Sequence, residues 1–392
     1  MKILHTVESY FPSTNGMQEV VQQISERLVR LGHDITVATS YHADRKQNSI
    51  HGVHIEQFHI CGNAIRGIVG EKKEIQRYTN LLRNSQFNII TNFAAQQWAT
   101  DLTLPILNKI KAKKVFVPTG FSALYFPQYN EYFTKMKCWM KQYDMNIFLS
   151  NNYRDINFAR KNDVKKRILI PNGASAEEFL STEYVDIRKK LGVPFSHFLI
   201  LLVGAHTGAK GHKEAIEIFG KAHISNATLL IVAHPSCTRC ARRCFLTKYI
   251  FNVSPKRLVD KKQLIITSLS RKETISAYRQ ADLFLFPSNI ECSPIVLFEA
   301  MASKTPFLAT DVGNTREIIR WSGSGILLPT TKDKYGYSTA DINASTTTLE
   351  HIYHHPKKRQ MMAINGYHVW RKRFTWDKIA KQYEQIYKHV IS

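Results

Sequence analysis

Strand-length apolar runs alternate with amphipathic stretches along this chain, and the alternation occurs twice. Lys2 to Val7 reads as a buried strand, and a polar loop from Glu8 to Met17 carries Pro12, Asn15 and Gly16. Val20, Val21, Ile24, Leu28 and Leu31 then fall on one face of a helix. Gly32 suits the left-handed stop of that helix, and Asp34 to Thr39 reads as the next strand. The second half starts again. His197 to Val203 reads as a strand, Gly204 to Gly211 as a glycine-bearing loop, and Lys213 to Ala222 as a helix. Leu229 to Ala233, Leu264 to Thr267, Asp282 to Phe286 and Phe307 to Thr310 follow as strands. Apolar strands separated by helices predict parallel, doubly wound α/β sheets. Near the end, Ile379, Tyr383, Ile386 and Tyr387 make one apolar stripe on a helix from about Trp376 to Val390.

Length turns this pattern into two domains, because 392 residues exceed what one ordinary core organises. The turn-forming Ile170-Pro-Asn-Gly173 and the polar stretch Ala174 to Val193 place the hinge between them. The longest apolar runs, Phe198 to Val203 and Ala227 to Ala233, fall far short of the roughly 18 to 20 residues of a membrane span. Met1 to Val7 lacks the apolar stretch and small-residue cleavage site of a signal peptide. A cytoplasmic protein is expected.

Charge adds a partner. A formal net charge of +23 suits anionic membrane surfaces, nucleic acid or a phosphorylated substrate. The basic residues gather in Lys135 to Lys141, Arg154 to Arg167, Arg239 to Lys262 and Lys357 to Arg373. No nucleic-acid-binding signature accompanies them, so a peripheral position on the inner face of the membrane ranks first and nucleic acid last. Cys237, Cys240 and Cys244 form C-x-x-C-x-x-x-C, and His234 would complete a set of four ligands. Zinc sites more often come as two separated ligand pairs, so reduced thiols on a basic surface helix or loop are expected there, with no metal.

The chemistry concentrates between Asp282 and Ile319. A strand leads through Pro287-Ser288 to a loop with Glu291, then to a helix with Glu299. Ser293 suits the N-cap and Pro294 the first helical position. The backbone from Ser293 through Pro294 and Ile295 to Val296 would then offer N–H groups and a partial positive charge to an anion such as a diphosphate. Two carboxylates at this spacing can each hold a pair of hydroxyls, one on either side of the phosphates; as plain surface acids they would mean little.

Glu291-Cys-Ser-Pro-Ile-Val-Leu-Phe-Glu299 resembles the E-x7-E motif of the group 1, family 4 retaining glycosyltransferases. Lys304-Thr-Pro306, Ala309-Thr-Asp-Val-Gly313 and Glu317-Ile-Ile319 stand where that family has its following segments. Ile170 to Gly173 with Glu178-Phe179, Gly16, Gly32-His33, Lys210-Gly211 and Phe374-Thr-Trp376 also match, so the resemblance spans nearly the whole chain. It implies the GT-B architecture, two Rossmann-like doubly wound domains facing a cleft. Residues 1–172 would bind the acceptor, with the helix 376–392 packing back on them, and residues 173–375 would bind the nucleotide sugar.

The same resemblance assigns roles. Glu299 would bind the ribose hydroxyls, Glu291 the donor sugar near its reacting carbon, and Lys210 the diphosphate; Gly16 would let the first loop approach the donor. The family's usual arginine is Ala205 here, which leaves His206 as the nearest replacement cation. Met17 follows Gly16 in place of a second glycine, Pro294 replaces a glycine, and Thr119 precedes Gly120 where a histidine is common on the acceptor side. No D-x-D metal motif is present, so catalysis without metal or cofactor is expected, with UDP-sugars favoured over GDP-mannose as donor. The acceptor expected is a glycan or lipid-linked intermediate of cell-envelope polysaccharide or lipopolysaccharide synthesis. The missing arginine and histidine motivate a competing reading, a GT-B-shaped binding or scaffold protein without activity. Epimerases and phosphorylases share the architecture as well.

Overall fold

The computed structural model describes residues 1–83, 86–234, 238–254 and 259–392. They divide into two compact units, Met1–Asn172 with Trp376–Ser392, and Gly173–Thr375.

The first unit is built on strands β1 (Lys2–Thr6), β2 (Asp34–Ser40), β3 (Ser49–Ile50), β4 (Val53–Phe58), β5 (Ile60–Asn63), β6 (Gly67–Gly70), β7 (Ile89–Phe93), β8 (Lys113–Val117), β9 (Met145–Phe148) and β10 (Arg167–Leu169). Eight of these form one sheet in the order β10-β9-β8-β7-β1-β2-β4-β3, parallel except for the edge strand β3; β5 and β6 make a separate hairpin. The order reverses between β7 and β1, so the loops leaving their carboxyl ends flank a crevice. Asn15 caps the first helix, Gly16–Arg30, by accepting hydrogen bonds from Met17 N and Gln18 N. Gly16 and Met17 are therefore the first turn of that helix and not part of the loop, a correction that follows from Asn15 taking the cap. Val20, Val21, Ile24 and Leu28 are buried as their spacing requires. Arg45 secures the loop before the helix, donating to the carbonyls of Tyr10, Phe11 and Ser40.

The final helix, Trp376–Ile391, packs on Gly16–Arg30. Its Tyr387 hydroxyl lies 3.0 Å from His5 Nε2 in β1 and accepts from Thr91 Oγ1 in β7. His5 Nδ1 lies 2.8 Å from Ser25 Oγ, so the imidazole is fully buried with both nitrogens engaged. Arg27 pairs with Asp377 at 3.1 Å and His33 with Glu384 at 3.0 Å, closing the same interface at its rim.

The second unit has strands β11 (Phe198–Val203), β12 (Ala227–Val232), β13 (Lys262–Thr267), β14 (Leu283–Phe286), β15 (Phe307–Ala309) and β16 (Gly325–Leu327). They form an all-parallel sheet in the order β13-β12-β11-β14-β15-β16, with a small antiparallel hairpin outside it. Counted within the unit this is 3-2-1-4-5-6, the dinucleotide-fold order, with its reversal between β11 and β14. Both faces are covered, which is why β11 and β12 are apolar throughout.

Two glycines hold the loops at that reversal. Gly211 has φ +71°, and a Cβ there would stand 2.0 Å from the Pro287 carbonyl oxygen. Ala209 O accepts from Asn289 N at 2.9 Å, tying the same two loops a second time. Gly313 has φ +54°, and its Cβ would meet Cys292 O at 2.4 Å, while Asn314 N donates to that carbonyl at 2.8 Å.

Two outcomes follow. Burial pushes the His5 imidazole from 6.5 down to about 3, so below pH 6.5 the unfolded chain binds a proton that the folded chain does not. Stability therefore falls as pH drops, by about 1.4 kcal/mol per pH unit from this group. Between about pH 7 and about pH 5 the wild type is expected to lose roughly 2 kcal/mol more than His5→Gln in guanidinium melts; equal losses would show that His5 carries its proton in the fold. Gly211→Ala should cost about 3 kcal/mol or more, against about 1 to 2 kcal/mol at Gly208, where φ is +84° but nothing lies within 4 Å. Equal urea midpoints for the two variants would mean that the Pro287 turn yields.

Candidate functional site

The loop after β11 carries Lys210, and the loop after β14 carries Glu291, so the strand reversal itself brings them together. Lys210 Nζ lies 2.5 Å from Glu291 Oε1, and both side chains are largely shielded from solvent. Ser288 Oγ stands 2.9 Å from the same carboxylate oxygen. Packing beneath is close, since a Cβ on Gly204 would touch the Lys210 stem at 3.3 Å.

Glu299 lies in the helix Ile295–Ala302 and is buried. Its Oε1 accepts from Arg271 Nη1 at 2.5 Å, and Arg271 also forms a two-point pair with Glu178, Nε to Oε1 at 2.9 Å and Nη2 to Oε2 at 2.7 Å. Arg271 was missed in the sequence. The signal available was Ser270-Arg-Lys-Glu273, a capping box in which Ser270 and Glu273 satisfy each other's backbone, placing Arg271 at the first helical position. Burial, together with the Glu299 carboxylate charge nearby, holds the Tyr278 phenol well above its ordinary range.

The helix start differs from expectation by one residue. Pro294 occupies the N-cap and Ile295 is the first helical residue, with Val296 next. Ser293 does not cap the helix, because its hydroxyl instead accepts from Asn314 Nδ2 at 3.0 Å. The N-cap residue Pro294 makes no side-chain cap hydrogen bond, so the Ile295 and Val296 amides receive none from it.

His206 does not stand beside Lys210 as a second cation. It is buried, with Nδ1 3.5 Å from Cys240 Sγ and its ring centroid 4.6 Å from that of His212. Burial lowers its pKa, which disfavours the charged form that a phosphate contact would need. Cys240 and Cys244 are likewise not surface thiols. Four residues apart on the helix Thr238–Val253, they turn inward, Cys244 into the core and Cys240 partly covered. Among the described residues His206, His212, Cys240 and Cys244 form one group whose ligand atoms all lie within 4.8 Å of one another. His234 is exposed and outside this group, and Cys237 lies outside the described residues.

In the first unit, Thr119, Gly120 and Phe121 leave β8 with φ of 58°, 103° and 48°. Left-handed backbone at two consecutive-but-one non-glycine residues is strained, and strain of this kind gathers at functional loops. Gly120 N donates to Asp155 Oδ2 at 2.9 Å, and burial pushes the Asp155 carboxyl up to about 6. Glu8 leaves β1 at the crevice, its amide donating to Gln97 Oε1 at 2.8 Å, and burial raises its pKa. Sequence reasoning missed Asp155 and Glu8, since neither stands in a spaced motif. Gly16 is exposed, with open space around its Cα.

Comparison with known proteins fits this geometry. Residues 185–369 match the family described as Glycosyl transferases group 1. Over 99% of its length the chain is 23% identical to an uncharacterized glycosyltransferase of Methanocaldococcus jannaschii, covering 98% of that protein. It is 21% identical to alpha-monoglucosyldiacylglycerol synthase of Acholeplasma laidlawii, over 77% of this chain and 78% of that one. In three dimensions it is similar to Anabaena Alr3699/HepE, solved with UDP-glucose, at a TM-score of 0.73 and 15% identity, over 99% of this chain and 100% of that one. The group 1 match thus fills most of the second unit, and likeness to glycosyltransferases of GT-B fold runs through both.

Proposed function

We propose that this enzyme is a retaining transferase that moves a hexose from a UDP-sugar to a lipid-linked or glycan acceptor of the cell envelope. The observation that carries the reading is the Lys210–Glu291 pair at the strand reversal of the second unit, one helix away from buried Glu299. Lys210 and the uncapped start of Ile295–Ala302 supply positive charge where a departing diphosphate gathers negative charge. With the donor bound, the Lys210 ammonium meets the diphosphate, and Glu291, released from it, accepts hydrogen bonds from the sugar hydroxyls. Glu299, oriented by Arg271, accepts from the ribose hydroxyls. No metal enters this scheme. The departing phosphate oxygen takes the acceptor hydroxyl's proton on the face it leaves, which retains the configuration. Thr119 and Gly120, stiffened by Asp155, are assigned to the acceptor. The UDP-sugar preference is supported by the Anabaena protein, and the lipid-linked acceptor by the alpha-monoglucosyldiacylglycerol synthase.

A membrane surface enters on a separate observation. The outward side of Thr238–Val253 exposes Phe245, Leu246, Tyr249, Ile250 and Val253, with Arg239, Arg242 and Arg243 alongside. An apolar strip flanked by arginines suits the headgroup region of an anionic bilayer. Among the described residues no helix is long and apolar enough to cross a membrane.

Lys210→Ala is expected to lower sugar transfer about 100-fold or more while weakening UMP binding much less. The residual activity should show no recovery at acid pH, since buried His206 cannot act as substitute. Near-normal turnover at neutral pH would move the phosphate site elsewhere. For the membrane, the chain should pellet with anionic vesicles at low salt and be released as screening rises, and Leu246→Ser/Ile250→Ser should reduce the bound fraction several-fold. Equal recovery with neutral and anionic vesicles would remove the membrane from the proposal.

A further inference from the structure

The His206, His212, Cys240 and Cys244 cluster plays no part in the sugar chemistry. Nothing about it depends on where the donor sits. Its four members come from two places in the chain. His206 lies in the glycine-bearing loop after β11 and His212 opens the helix that follows, and Cys240 and Cys244 lie one turn apart on the inner face of Thr238–Val253. His206, His212 and Cys244 are buried and Cys240 is partly so.

The distances already approach those of a four-coordinate site. Zinc holds sulfur at about 2.3 Å and imidazole nitrogen at about 2.0 to 2.1 Å, so ligand atoms at tetrahedral corners stand about 3.3 to 3.8 Å apart. Cys240 Sγ lies 3.5 Å from His206 Nδ1 and 3.9 Å from His212 Nδ1. All four ligand atoms lie within 4.8 Å of one another, so the widest pair must close by about 1 Å.

The outer contacts are those a ligating histidine needs. His212 Nε2 lies 3.0 Å from the Gly204 carbonyl oxygen, which can only accept. The ring proton therefore sits on Nε2, and the Nδ1 lone pair points toward Cys240. A hydrogen-bonded thiol pair would be the bland alternative.

We propose that His206, His212, Cys240 and Cys244 bind one zinc ion in a closed, structural Cys2His2 site. Binding displaces the two thiol protons to solvent, and two thiolates with two neutral imidazoles leave the assembly electrically neutral. All four positions are protein ligands, so no corner remains for water or substrate. The ion pins the chain on both sides of Lys210, at His206 and His212, to Thr238–Val253.

The test uses the full chain and reads metal rather than activity. Purified from cells grown with zinc, it should carry about one zinc per molecule by elemental analysis. Cys240→Ser/Cys244→Ser should lose that zinc almost completely, whereas Cys61→Ser/Cys138→Ser should keep it. Because the first variant can fail for want of folding, the wild type is also stripped with a chelator and titrated with cobalt(II). Thiolate-to-cobalt absorption together with the strong visible bands of tetrahedral cobalt should saturate at one equivalent. Folded wild-type chain with neither zinc nor these bands overturns the proposal, and so does full zinc retention in the Cys240→Ser/Cys244→Ser chain. Either result leaves the glycosyltransferase reading untouched.

Discussion

The absence of a side chain at Gly211 is the constraint on which the second unit's site depends. Adjacent strands β11 and β14 send their loops out of the sheet side by side, and the two backbones can run that close only if one carries no Cβ. With Gly211 against the Pro287 carbonyl, Lys210 is one residue from the contact and Glu291 is four residues beyond it. Gly313 repeats the device on the far side of the Glu291 loop, against Cys292. The carboxylate is thus carried on a segment clamped at two backbone contacts, which fixes it more firmly than side-chain packing alone would.

Charges in this region are matched before any ligand arrives. Lys210 faces Glu291, and Glu299 shares Arg271 with Glu178. An unpaired buried carboxylate would be costly, so the fold supplies each with a cation. Under the proposed function a donor exchanges partners with groups already paired. The Lys210–Glu291 contact opens, while Arg271 remains on Glu299. An exchange of this kind makes affinity depend on geometry more than on net charge.

The sequence was most legible where one physical signal dominated. Buried parallel strands must be apolar on both faces, so β11, β12 and β14 stood out, and their residues bounded the loops that matter. Helix stripes were equally plain at Val20 to Leu28 and Ile379 to Tyr387. Cap positions were less so, because Ser293 and Pro294 both suit a helix start and the choice rests on Asn314, twenty-one residues away. The cysteines misled for a related reason. Spacing places Cys240 and Cys244 on one face but does not say whether that face turns inward, and their histidine partners lie about 30 residues upstream, His206 in a loop and His212 at a helix start. His206 was assigned by proximity in sequence to Lys210, and packing turned it the other way. Arg271, Glu8 and Asp155 belong to no spaced pattern; only the folded chain shows what each touches.

The first unit's sheet is made from the first 172 residues, yet its hydrogen-bonded core includes Tyr387, and Trp376–Ile391 packs against Gly16–Arg30. Order of manufacture and order of completion are therefore reversed. At ribosomal speed, on the order of 5 to 20 residues per second, the unit made first waits roughly 10 to 45 s for its last helix. During that interval Gly173–Thr375 has emerged whole and is free to close. The nascent amino-terminal half meanwhile holds an apolar helix face open to chaperones, and to any neighbouring chain at the same stage.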